Sequence, residues 1–465
     1  CTTMISQKDK EEKQLSTTVN NFFKTFKIGD ILKQCNFYKD KGFPPLSVLK
    51  FLFTLVFSAK NLYRYLQSKT TENPFGKDVV YRFLNSTSFN WLKFLFLLSQ
   101  KVIKTHLYSL TSDDRENVLI VDDSFYSRER SKSVELLARV KDHADNGRYK
   151  KGFRMLTLGW SDGNTFIPLN FTLLSSANKK NRLCPANESI DKRSNGYKRR
   201  ASSLLKMTDA MLELIKQAVK YKIPAKYVLF DSWFTYPSIL RKILQFDMHT
   251  IAMVKAMPKV YYTFNGKTKN LKDIYASVKK RRGKAKILSS VVVGIGIDCN
   301  GQEILAKIVF VRDRNRSRKW LALISTDISL DDEEIVRIYG KRWDIEVFFK
   351  MCKSYLCLAK EFQSRSYDSM IAHTTIVFSR YIMLAVENRN NTDWRTVGAL
   401  FYHCCDELQD IQFIEAIQLI IDIFKNALQQ KLMLSKEQIS EFIDYFINAL
   451  PIFLKEKLSL LSCES

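Results

Sequence analysis

Along residues 1–110, short basic clusters alternate with apolar runs such as residues 48–53 and 91–98, and Pro44-Pro45 and Asn73-Pro74 interrupt them. Helical spacing with few strand-like alternations predicts a bundle of short helices. The pattern changes at Asn117, where Val118-Leu119-Ile120-Val121 is a wholly apolar run ending in Asp122-Asp123-Ser124. A buried strand with acidic groups at its end reads this way. Residues 152–160 and 165–174 are strand-like and are joined by Ser161-Asp162-Gly163-Asn164, and Asp-Gly between such runs is a hairpin signal. A polar, basic stretch over 178–200 leads into an amphipathic helix over about 201–221, which Pro224 ends. Tyr227-Val228-Leu229-Phe230 is then a second buried strand, ending in Asp231-Ser232.

Strands dominate from Met248 to Ile324, over 250–254, 259–264, 287–297, 303–311 and 320–324, with Asn265-Gly266 and Asn300-Gly301 as turn signals. From Leu330 the chain is helical again, starting at Asp331-Asp332-Glu333-Glu334, acids where a helix N-terminus favours them. Strand, hairpin, helix, strand, with an aspartate closing the first and last strands, is the order of an RNase H-like core, so the fold class is α/β. The expected division is a helical N-terminal DNA-binding region over 1–112, a core over 113–247, and a mainly antiparallel β insertion over 248–328. The rest of the core, with an acidic helix, follows over 329–385, and a C-terminal helical region suited to dimerisation over 386–465.

Length agrees, since 465 residues exceed one ordinary domain. Hydrophobic residues at 46% supply a large core, which excludes disorder as the main state, and 15 Gly with 9 Pro exclude fibrous classes. Charge adds a partner. The 74 Lys+Arg against 48 Asp+Glu give +26, which draws polyanions. Residues 255–286 hold 11 Lys+Arg and one acid, Asp273, and residues 178–200 hold 8 against Glu188 and Asp191; Arg128, Arg130 and Lys132 extend the same surface. Residues 396–465 carry 5 Lys and no Arg against 10 acids, a net of −5, and suit core packing or a partner helix instead of DNA.

The nine cysteines, Cys1 and Cys463 among them, lack CxxC spacing and read as reduced thiols. Lys or Arg breaks every apolar run short of a membrane span, and Lys8, Lys10, Glu11 and Glu12 stand where a signal peptide would be apolar. The chain opens on Cys1, so residues are expected ahead of it, with Met4 as another start.

The chemistry lies in the helix after the β unit. Arg342, Glu346, Lys350 and Lys353 follow one another at steps of four, four and three, with Tyr339 and Trp343 beside them, near one helical face. A solvated charged face is the bland account, and two earlier strand-end aspartates in the right order weaken it. Breaking or transferring a phosphodiester calls for two divalent metals about 4 Å apart. Mg²⁺ takes carboxylate oxygens, so three acids suffice and the five histidines, His106, His143, His249, His373 and His403, are read as structural.

Tyr339, Arg342, Glu346 and Lys353 match Y-x2-R-x3-E-x6-K, and the segment resembles the signature of the DDE transposases of the insertion-sequence-four family of bacterial mobile elements. Val121-Asp122-Asp123-Ser124 and Leu229-Phe230-Asp231-Ser232-Trp233-Phe234 resemble its two aspartate motifs, and the likeness spans most of residues 117–380. It implies that Asp123, Asp231 and Glu346 bind two Mg²⁺, replaceable by Mn²⁺, while Tyr339, Arg342 and Lys353, with Lys350 beside them, hold phosphates of the transposon end. Asp123 is favoured because Ser124 follows it, as in the family motif, and Asp122 is the alternative. Trp320 is the candidate to stack on a base flipped out during hairpin formation, against a core role; Trp233 divides the same way, with core packing ahead.

The function implied is a transposase that binds terminal inverted repeats of double-stranded DNA, as a homodimer holding two ends. It cleaves and joins strands by cut-and-paste through a hairpin, in the bacterial cytoplasm at the nucleoid, with no membrane partner. The alternatives are an RNase H-like nuclease or resolvase without strand transfer, and a non-catalytic DNA-binding protein.

Overall fold

The computed structural model describes residues 17–58, 62–67, 76–111, 115–142, 147–281, 283, 285–313, 319–361, 364–390, 397–431 and 434–451. The features placed on Cys1, Met4, Lys8, Lys10, Glu11, Glu12, Asn73-Pro74, His143, Arg282, Lys284 and Cys463 lie outside these residues.

The N-terminal pattern folds as short helices: α1 (Thr17–Thr25), α2 (Ile28–Gln34), α3 (Pro45–Thr54), α4 (Leu62–Gln67), α5 (Lys77–Leu84) and α6 (Trp91–Val102). Pro45 opens α3 at its first position, where a missing N–H costs nothing, and the Asn90 side chain caps α6 by accepting from the Lys93 N–H at 3.1 Å. Their Phe and Trp side chains join one core with the sheet.

That sheet starts with β1 (Val118–Ser127), β2 (Ala138–Asp142), β3 (Arg148–Ser161), β4 (Phe166–Leu174), β5 (Tyr227–Phe230) and β6 (His249–Val254). Neighbours run β4-β3-β1-β5-β6, with β3 antiparallel to β1, β4 antiparallel to β3, and β5 and β6 parallel to β1. This is the RNase H-like core expected from the order of elements. The β3–β4 hairpin closes tightly at Gly159, where the Phe166 ring would lie 2.1 Å from any added Cβ.

The strands after 248 extend the same sheet. β6 belongs to the parallel core, and β7 (Tyr261–Phe264), β8 (Lys267–Asn270), β9 (Ile287–Ile297), β10 (Glu303–Arg312) and β11 (Trp320–Ser325) continue it in the order β6-β11-β10-β9-β7-β8. Backbone pairing across β6 and β11, from Ala322↔Val254 to Ser325↔Ile251, satisfies an edge that would otherwise stay open.

Helices cover both faces. The expected helix over 201–221 is two, α7 (Asn195–Ser202) and α8 (Met207–Lys220), because a turn intervenes at Ser203. α9 (Pro237–Leu244) follows β5, and α10 (Leu271–Ser277) lies in the β extension. The signature segment is also two helices, α11 (Asp332–Gly340) and α12 (Trp343–Ser354), and α13 (Tyr367–Asn390) crosses behind them. Asn170 of β4 donates to Gln217 of α8 at 2.8 Å, while the adjacent Phe171 ring meets Phe378 of α13, so these helices occupy opposite faces.

α13 is long and apolar enough to cross a membrane, yet its apolar stretch is wholly buried in the protein. It also carries Arg380, fully buried, whose guanidinium donates to Glu361 at 2.7 and 2.9 Å and to the Phe53 carbonyl of α3 at 2.9 Å. This pair welds the N-terminal helices to the core. Glu361→Gln leaves the arginine charge without its counterion and is expected to cost about 3–5 kcal/mol in urea unfolding; a loss under 1 kcal/mol contradicts that role. α14 (Val397–Lys431) and α15 (Lys436–Ala449) form the C-terminal part, meeting through Leu428, Ile439 and Ile443.

Candidate active site

β1 and β5 run in parallel with Val121 opposite Phe230, so the residue after each pair, Asp122 on β1 and Asp231 beyond β5, ends at the same level of the sheet. Asp231 is steadied by its own turn: its carboxylate accepts from the Ser232 N–H, and its carbonyl accepts from the Phe234 N–H at 3.2 Å. Thr235 Oγ1 donates to the Met253 carbonyl of β6 at 2.7 Å, which locks that turn to the next strand.

The third acid arrives on α12. Ile345, Phe348, Phe349 and Cys352 form its buried stripe, with Phe348 against Phe166, Phe378 and Tyr381. That stripe sets the rotation of the helix, and Arg342, Glu346 and Lys353, spaced by four and seven, fall along its flank over β1. Arg342 Nη1 donates to Asp122 at 3.1 Å and Nη2 to Glu346 at 2.5 Å, so one guanidinium clamps both carboxylates. Lys353 Nζ donates to Ser124 Oγ at 2.6 Å, one strand period beyond Asp122 on the same face.

Asp123 faces the other way. Its carboxylate pairs with Arg154 of β3 at 2.5 Å, and both side chains are largely buried. Strand alternation is the cause: residues 122 and 124 meet α12, and residue 123 meets the far face. Arg154 carries no signal of its own in the sequence; only the β1–β3 register, Asp123 opposite Leu156, brings it diagonally alongside.

Burial pushes the Asp122 carboxyl up to about 7; Arg342 opposes this, and the charges of Asp123 and Asp231 add to it. Burial pulls Arg342 down, but Tyr339, Asp122 and Glu346 outweigh it and hold the guanidinium above its ordinary range. Burial lowers Lys353. Tyr339, the last residue but one of α11, places its ring centroid 6.0 Å from the Arg342 guanidinium. The break between α11 and α12 therefore separates Tyr339 from the Glu346 helix without removing it from the cluster.

Lys350 is exposed on α12. Trp320 opens β11 at the same sheet edge as the carboxylates, stacked on Tyr275 at 4.5 Å and edge-on to Phe310 at 5.3 Å. Two strand spacings, about 10 Å, separate β11 from β5. Trp233 is 51% exposed, with Lys255 Nζ 5.4 Å from its ring, so core packing does not describe it. Within the basic stretch over 178–200, Arg199 and Arg200 are buried in pairs with Asp368 and Glu135, which removes them from any DNA surface.

Three carboxylates offer the hard oxygen donors that Mg²⁺ prefers. Among the described residues no three acid, His or Cys side chains converge closely enough to share one ion. The Arg342 guanidinium stands between Asp122 and Glu346 and supplies there the positive charge that a divalent cation would bring, so the donor set fits the metal once that side chain turns aside.

The sequence pattern of the DDE superfamily endonucleases matches residues 60–292, which is 233 of the 465 residues. The matched span contains both aspartate strands and ends before α12. No curated protein matches the chain.

Proposed function

This chain belongs to the DDE superfamily endonucleases, and from that premise we propose that it is a DNA transposase of the insertion-sequence-four type. Family membership makes it a nuclease or transposase acting on DNA, in a superfamily whose nucleases generally use divalent metals. The observation that carries the finer reading is the clamp: Glu346, outside the matched span, is joined by Arg342 to Asp122, inside it.

The first acid proposed is Asp122, the alternative in the motif, in place of Asp123, because Asp122 shares both the level of Asp231 and the clamp to Glu346. Asp122, Asp231 and Glu346 would hold two Mg²⁺ or Mn²⁺ ions. When bound, such a pair activates the attacking oxygen and steadies the leaving oxygen of the phosphodiester. Arg342 and Lys353 then neutralise phosphate charge beside the reacting bond, and Tyr339 orients the guanidinium. Strand joining uses the same in-line geometry: the released 3′-hydroxyl takes the place of water, its oxygen forms the new bond to a target phosphorus, and the target strand's own 3′-oxygen leaves as a hydroxyl. Binding of terminal inverted repeats, a hairpin on the transposon end with Trp320 stacking a base, a homodimer holding two ends, and a place at the bacterial nucleoid complete the proposal.

The test uses end-labelled DNA carrying the element's own terminus, with Mg²⁺, Mn²⁺ or chelator, and Glu346→Gln as control. Metal-dependent nicking plus joined product supports transposition. Nicking alone supports a nuclease without strand transfer, and full activity in Glu346→Gln removes that residue from the site. Because Asp122 must lose its proton to hold a cation, cleavage is expected to rise through about pH 7. A profile flat from pH 5.5 to 8.5 would contradict this assignment.

A further inference from the structure

Past its acidic stretch, β1 runs out at Ser127 into a groove of about 860 Å³. One wall is the chain from Arg128 to Val134 and the other is built from Ala359, Lys360, Ser364 and Arg365, between α12 and α13. Arg128 ties the walls together: Nη1 donates to the Ala359 carbonyl at 2.6 Å, and the guanidinium lies 5.1 Å from the Tyr126 ring. The backbone is braced as well, since the Glu135 N–H donates to the Arg365 carbonyl at 2.9 Å and Lys151 Nζ to the Ser131 carbonyl at 3.1 Å.

On this braced frame Arg130, Lys132, Lys360 and Arg365 are exposed, and among the described lining residues Glu129 is the one acid. None of the four cations is in an ion pair among the described residues. Four like charges gathered in one cleft repel one another, and a polyanion laid between them removes that cost. Serine hydroxyls in the same walls, from Ser127, Ser131 and Ser133, are donors of the kind that phosphate oxygens accept from.

We infer that this groove is a second DNA-backbone site, distinct from the carboxylate cluster. Its position rests on the DNA-cleaving reading; its ligand chemistry does not. Five residues of strand from Asp122 to Ser127 span about 17 Å. Phosphates advance about 3.4 Å per base pair along a duplex, so the groove meets the backbone about five base pairs from the carboxylates. That backbone is the continuation of the duplex being cut, because the groove lies in line with the strand that carries Asp122.

The full chain is titrated with a fluorescein-labelled 30-base-pair duplex by anisotropy, from 50 to 200 mM NaCl. Each phosphate contact contributes about 0.9 to the slope of log affinity against log salt. The variant carrying Arg130→Gln, Lys132→Gln, Lys360→Gln and Arg365→Gln is expected to flatten that slope by about 3–4, and Lys360→Gln alone by about 0.9. An unchanged slope in a variant of unaltered circular dichroism overturns the proposal. Where the slope does flatten, protein saturated with unlabelled duplex is offered a second labelled one: capture identifies a separate duplex, and its lack identifies the continuing backbone. Cleavage assayed at saturating DNA keeps the two readings apart. A flattened slope in a protein that never cleaves upholds the groove and sinks the nuclease, and cleavage with an unchanged slope does the reverse.

Discussion

Asp122→Asn is expected to lower metal-dependent cleavage by about 10³-fold or more, while Asp123→Asn keeps the activity and loses stability. The two substitutions differ by one residue position, and their effects part because the strand turns the two carboxylates to opposite faces. Asp122 shares Arg342 with Glu346; Asp123 is spent on its ion pair with Arg154, at 2.5 Å. Removing Asp123 leaves the Arg154 guanidinium largely buried without its partner, at about 3–5 kcal/mol by the ordinary cost of breaking such a pair.

Stability supplies a second, independent reading of Asp122. Its folded carboxyl titrates near 7 against an ordinary value of 3.8, so the folded state holds the proton more tightly than the unfolded chain. Stability from this group is therefore full below about pH 4 and is lost as pH rises through 7. Asp122→Asn, neutral at every pH, is expected to raise the melting temperature of the metal-free protein at pH 8 and to change it little at pH 4. If Asp123→Asn abolished cleavage and Asp122→Asn did not, the first acid would have to be reassigned.

The second large effect concerns Arg342. Arg342→Gln is expected to bind Mn²⁺ about tenfold or more tightly in the absence of DNA, because the charge competing for Asp122 and Glu346 is gone. Cleavage falls by about 10²-fold at the same time, since the phosphate loses a neutralising partner. In the wild-type chain a DNA phosphate offers the guanidinium another anion, so DNA and metal should strengthen each other's binding by the same factor. Calorimetric titration of Mn²⁺ into the DNA-free proteins measures the first effect directly. Equal or weaker Mn²⁺ binding in Arg342→Gln would show that the guanidinium does not stand in the way of the metal.

Much of the core was legible from period and punctuation. The apolar run before Asp122, the Asp-Gly turn between two β-rich stretches and the run before Asp231 correspond to β1, the β3–β4 hairpin and β5. Apolar runs bounded by turn residues bury themselves in a sheet wherever the chain carries them. Boundaries within helical stretches were not legible. Ser203 interrupts an apparently continuous helix with no Pro or Gly to mark the break, and at Lys341-Arg342 the one local signal is Gly340, the last residue of α11. The strands beyond 248 read as a separate insertion, because nothing local distinguishes a strand that joins an existing sheet from one that starts its own.

By itself, then, the sequence determined the order of elements, the acidic strand ends, the signature residues from Tyr339 to Lys353 and the excess of basic charge, since all of these are set by neighbours along the chain. Tertiary structure alone decided which of two adjacent aspartates faces Glu346. Strand pairing rotates alternate side chains to opposite faces, and only the packing of α12 shows which face holds the site. It also separated basic residues spent inside the fold, such as Arg199 and Arg200, from the exposed four around the groove after β1. Charge is a property of the residue, but its availability to a ligand depends on what the folded chain places against it.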